Sequence, residues 1–76
     1  MPADQPVWIL DARRLLGARI QTHRLHKNLT QERLAERSGI DRSTIQRIEA
    51  GQMDARYSYL LRIAAVLEVP LAKLVS

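Results

Sequence analysis

"AERSGIDRSTIQRIEAG", residues 35–51, holds two helix-forming stretches separated by Gly-Ile-Asp. Gly39 adopts a positive φ without steric cost and so ends the first stretch. Asp41 is a strong N-cap for the second. A break this short has no slack, so it fixes the angle between a helix over 31–38 and a helix over 42–50, the latter closed by Gly51. Thr30 is placed to cap the earlier helix, although Arg33, three residues on, does not complete a capping box.

The second helix is two-sided. At about 100° per residue, with Arg42 at zero, Gln46 falls at about 40°, Ala50 at about 80°, Ser43 at about 100° and Arg47 at about 140°. Ile48 and Ile45 fall at about 240° and about 300°, on the opposite flank. The polar flank carries side chains whose donors and acceptors match base edges in the major groove, and the small Ala50 permits close approach. Leu34 and Ile45 are placed to meet across the turn, Ala35 lets the two axes approach, and Ile40 plugs the turn into the core. This is the geometry of a helix-turn-helix.

The rest of the chain suits an all-α domain. A helix from about Val7 or Asp11 to Lys27 has Leu16 and Ile20 at i, i+4, with Asn28 as a left-handed cap. A fourth helix over 57–68 has Tyr57, Leu60, Leu61, Ala64 and Leu67 on one side, and Pro70 suits the start of a short fifth helix. Residues 1–10 read as a flexible or partly helical extension, and residues 11–76 as the domain, with its helix-turn-helix core at 31–50. No strand pattern and no internal repeat is present.

Composition narrows the chemistry. A chain of 76 residues is one small domain with a thin core, which needs close helix packing or a partner chain. There is no cysteine, hence no disulfide and no thiolate zinc site. The formal charge of +4 favours a polyanionic partner, and ten of the twelve cations are Arg, which forks onto phosphate and guanine. No apolar run is long enough to span a membrane and no signal peptide is evident, so a cytoplasmic, nucleoid-associated location is expected. His23 and His26 lack a third ligand of matching spacing, so no metal and no cofactor is expected. With no phosphate loop, carboxylate pair or room for a cleft, an enzyme is not expected.

"LTQERLAERSGIDRSTIQRIEAG" resembles the helix-turn-helix of the Cro/C1 type, the XRE family, in Thr30, Gln31, Leu34, Ala35, Gly39, Ile40, Ser43, Ile45, Ile48, Glu49 and Gly51. "LGARIQTHR" upstream and "LLRIAAVLEVPLAKL" downstream are similar to the family's first and last helices. The resemblance implies a five-helix, lambda-repressor-like domain that binds operator DNA, generally as a homodimer, and regulates transcription. It implies base contacts by Arg42, Ser43 and Arg47, to which the helical wheel adds Gln46. It implies a phosphate contact by Gln31, and Thr30, Thr44 and basic residues of the first helix, Arg19 among them, are expected to join it. It also implies that Arg24 and Glu49 form a structural ion bridge.

Three departures stand out: Ala50 where the family often has a polar phosphate contact, Asp54 in a loop short of cations, and a long stretch before Leu16. Trp8 reads as a core or interface anchor, and Leu71, Leu74 and Val75 as a dimer interface. The partners expected are double-stranded DNA and a second copy of the chain. The rival reading is a protein-interaction module, such as an antitoxin-like partner or a bridging adaptor on the same fold.

Overall fold

A computed structural model describes residues 5–76 and, among them, five helices and no strand. The expected N-terminal extension falls partly outside these residues, and the part inside is helical from Val7. Helix α1 (Val7–His26) follows Pro6, whose carbonyl accepts from the Ile9 and Leu10 N–H groups. "VWIL" therefore belongs to α1. The helix ends with the Lys27 N–H on the His23 and Arg24 carbonyls and with Asn28 in the left-handed region at φ 58°.

Helix α2 (Gln31–Ser38) is capped by Thr30, whose hydroxyl oxygen accepts from the Arg33 N–H at 3.0 Å. Gly39 ends it at φ 74°, with both the Gly39 and Ile40 N–H groups on the Ala35 carbonyl. The buried Ser38 hydroxyl donates to that carbonyl at 3.3 Å and accepts from the Ile40 N–H at 3.4 Å, stitching the turn shut. Helix α3 (Arg42–Glu49) starts at Asp41, whose carboxylate accepts from the Thr44 N–H at 3.1 Å. Helices α4 (Tyr57–Leu67) and α5 (Ala72–Val75) complete the domain.

The core is one cluster drawn from all five helices. Ile20, Leu34, Ile45, Ile48, Ile63, Leu67 and Leu74 are fully buried in it, and Leu29 and Ile40 join from the connections. Leu34, Ala35 and Ser38 form the inner face of α2.

Four expectations are corrected. In α4 the inward stripe is Leu60, Ile63, Ala64 and Leu67, whereas Tyr57 and Leu61 are exposed. Helix α4 also stops at Leu67, and Glu68 takes the left-handed cap position at φ 58°. Leu74, expected at a dimer interface, is instead 0% exposed, because it is the inward residue of the single turn α5 and closes the monomer's own core. Trp8, by contrast, is no core anchor, being 71% exposed.

Candidate nucleic-acid interface

The outward flank of α3 carries Arg42, Ser43, Gln46 and Arg47, all exposed, with the exposed Ala50 following the helix. Ile45 and Ile48 pin the opposite flank into the core. Among the described residues neither Arg42 nor Arg47 has a carboxylate partner. Their guanidinium groups therefore meet solvent rather than the protein's own acids. This sorting is what the helical wheel predicts, and it makes a rod with a fixed back and a polar front of two arginines.

The turn sets the tilt of the rod against α2, and α1 grips its far end. Arg24 is buried, with its Nε on Glu49 Oε2 at 2.7 Å, a second nitrogen on Oε1 at 3.1 Å and its third on the Leu29 carbonyl at 2.7 Å. The two-toothed grip ties α1 to the last residue of α3, as the resemblance implies. Gly17 is the companion device. A Cβ there would stand 2.2 Å from the Glu49 carbonyl oxygen and 2.6 Å from that of Ile48, so only glycine lets α1 cross the end of α3 so closely. The sequence reading missed Gly17. Its signal is a helix-weakening glycine in mid-helix, between Leu16 and Ala18.

Beside the rod, Thr30, Gln31, Glu32 and Arg42 surround a concavity with Arg24. The N-terminus of α2 opens there, and a helix N-terminus presents backbone N–H groups and a partial positive charge to anions. The Gln31 side-chain nitrogen donates to Glu49 Oε1 at 3.0 Å, so its carboxamide is held in place by the same buried acid. Glu32 adds a negative charge at the rim.

The remaining expected contacts are distributed differently. Arg19 does not reach this concavity. It lines a groove of about 410 Å³ between α1 and α5, with Ile9, Leu15, Leu16, Leu74 and Val75 among its neighbours. Asp54, in the loop short of cations, faces α1, 3.6 Å from Arg13 Nε, and lies 3.4 Å from Gln5 Nε2.

Asp41 does more than cap. Its carboxylate accepts the Ser43 hydroxyl at 2.6 Å on Oδ2 and the Thr44 hydroxyl at 2.9 Å on Oδ1. The Ser43 hydroxyl, then the Thr44 hydroxyl and N–H, hold the Asp41 carboxyl below its ordinary 3.8. A phosphate oxygen can only accept, so Thr44 can reach one through its hydroxyl only by releasing Asp41.

Among the described residues, no three His, Cys, Asp or Glu side chains converge as metal ligands, and no helix is long and apolar enough to cross a membrane. His23 is half-buried and His26 exposed.

A short helix held at its back, with a polar, arginine-bearing front beside an anion-receptive helix N-terminus, defines a DNA-binding helix-turn-helix domain. The sequence pattern of the helix-turn-helix family matches residues 20–74, and the chain belongs to that family, in its Cro/C1-type branch. The chain is 30% identical over 73 residues to control protein C.SmaI of Serratia marcescens, covering 96% of this chain and 87% of that protein. The crystal structure of the restriction-modification controller protein C.AhdI from Aeromonas hydrophila matches with a TM-score of 0.79 and 34% identity, over 84% of this chain and 96% of that one. The hypothetical transcription factor NHTF from Neisseria matches with a TM-score of 0.83 and 29% identity, over 100% of this chain and 86% of that one. The protein is a DNA-binding transcriptional regulator.

Proposed function

We propose that this regulator reads operator sequence in the major groove with α3, as a homodimer on an inverted repeat, and that it controls a restriction-modification system. The observation that carries the reading is the exposed front of α3, where Arg42, Gln46 and Arg47 project and, among the described residues, neither arginine has a carboxylate partner. Arg42 and Arg47 take guanine O6 and N7, Gln46 and Ser43 take neighbouring base edges, and Thr30 and Gln31 hold phosphate at the N-terminus of α2. The setting is supported by similarity to two control proteins over nearly the whole chain of each.

The dimer contact falls on the α1–α5 flank. Val75 is 53% exposed there, Leu71 is half-buried, and Leu15 and Trp8 add exposed apolar surface on α1. A two-fold dimer sets its reading helices about 34 Å apart, one turn of duplex. A regulator of transcription works where the DNA is, which puts it in the cytoplasm, on the nucleoid.

Selection from randomised duplex DNA, followed by salt titration, tests this. The expected product is an inverted repeat with at least one G in each half-site. A lone half-site would remove the dimer. Uniform weak binding, with another protein co-purifying, would favour an adaptor instead. Arg47→Ala should flatten preference at one position of each half-site by about 1–3 kcal/mol. An equal loss on every sequence, with a shallower salt slope, would make Arg47 a phosphate contact.

A further inference from the structure

Two kinds of polar group share the front of α3. The arginines are donors only. The hydroxyl of Ser43 has one proton and two lone pairs, so its reading of a base depends on where that proton points. The 2.6 Å contact with Asp41 Oδ2 settles the direction, because an ionised carboxylate accepts and cannot donate. The carboxyl of Asp41 is held in its ionised form by the hydroxyls of Ser43 and Thr44 and the Thr44 N–H. Ser43 is exposed, so its lone pairs are what it offers outward. Asp41 is exposed beside it and also offers only lone pairs.

We propose that Ser43, polarised by Asp41, is a specificity-determining acceptor that reads an exocyclic amino group, adenine N6 or cytosine N4, at the N-terminal end of α3. This rests on the reading of α3 as the major-groove helix. Those amino groups are the hydrogen-bond donors that bases present in the major groove, while guanine O6 and N7 and thymine O4 accept. An acceptor-only serine gains nothing from the latter three, nor from a phosphate oxygen. The division of labour along α3 follows: Arg42 and Arg47 take acceptor edges, and the Asp41–Ser43 pair takes a donor edge. A G·C pair offers both on one rung, with guanine toward an arginine and the cytosine amino group toward Ser43.

The test uses the selected operator and the intact protein. At each half-site position in turn, adenine is replaced by purine and cytosine by 2-pyrimidinone, each lacking only its amino group. Affinity is then measured for wild type and Ser43→Ala, the latter controlling for the weakened base pair. At one position the missing amino group should cost wild type roughly 3- to 10-fold more than it costs Ser43→Ala. Asp41→Ser keeps a capping oxygen but frees the Ser43 proton, so it should narrow that difference. Equal losses in wild type and Ser43→Ala at every position overturn the proposal, as does an Asp41→Ser profile identical to wild type. Failure of wild type to select any sequence overturns the major-groove reading itself, and the inference falls with it.

Discussion

Arg47 and Glu49 stand two residues apart on α3, and the fold treats them in opposite ways. Glu49 turns inward, 4% exposed in its side chain, and is gripped by Arg24 and Gln31. Arg47 turns outward and has no ion-pair partner among the described residues. The inner flank invests charge in fixing the helix, and the outer flank keeps charge uncommitted for a ligand. Stability and recognition are thus separable on one eight-residue helix, and mutations can be sorted by which flank they strike.

The largest effect is expected from the inner flank. Glu49→Ala leaves the Arg24 guanidinium buried with only the Leu29 carbonyl as a partner. Removing one member of a buried ion pair costs about 3–5 kcal/mol, a large share of what a small domain possesses. Urea unfolding should show that loss as a lower midpoint at unchanged slope. Outer-flank changes such as Arg47→Ala should stay within about 0.5 kcal/mol in the same assay. If Glu49→Ala unfolds at the wild-type midpoint, the two flanks are not divided in this way.

Gly17→Ala strikes the same seam from the other side. Alanine favours the helix by about 1 kcal/mol over glycine, so propensity alone predicts stabilisation. The Cβ, however, would lie 2.2 Å from a backbone oxygen, and backbone cannot swing aside as a side-chain tip can. Overpacking of this kind costs about 1–3 kcal/mol, and α1 must shift away from the end of α3. A net loss of stability, with weaker operator binding in the protein that remains folded, is the expected pair of results. A gain in stability would show that α1 and α3 have room to spare.

These two seam residues also mark where the sequence is legible. Thr30, Gly39 and Asp41 act through neighbours within a few positions, so the turn and both caps can be read locally, and the wheel of α3 follows once its start is known. Arg24–Glu49 is legible only through family resemblance, since 25 residues separate its members. Gly17 has no local reason to be glycine, because its reason is a helix end more than thirty residues away. Leu74 looks like a surplus apolar residue until α5 is folded back on α1. In α4 every residue but Ser58 and Arg62 is aromatic or aliphatic, which permits more than one inward stripe, and only packing against α2 and α1 selects among them. Within the site, exposure is legible, but which way a hydroxyl proton points is not.

The smallest expected effect concerns the cap between the two flanks. Asp41 has its folded pKa lowered by Ser43 and Thr44. A lowered folded pKa means that the carboxylate contributes stability above the unfolded value near 3.8, and that this contribution is lost as pH falls through the folded value. Asp41→Asn still caps a helix but does not titrate. At about pH 6 wild type should melt at the higher temperature, and the gap should shrink as pH falls below the unfolded value and through the folded one, with other carboxylates moving both proteins alike. The group is fully exposed, so the shift in melting temperature is modest, and the difference between the two curves is what carries the result. A gap that is constant across the range would place the Asp41 contribution in shape rather than charge, and would leave Ser43 free to turn its proton toward DNA.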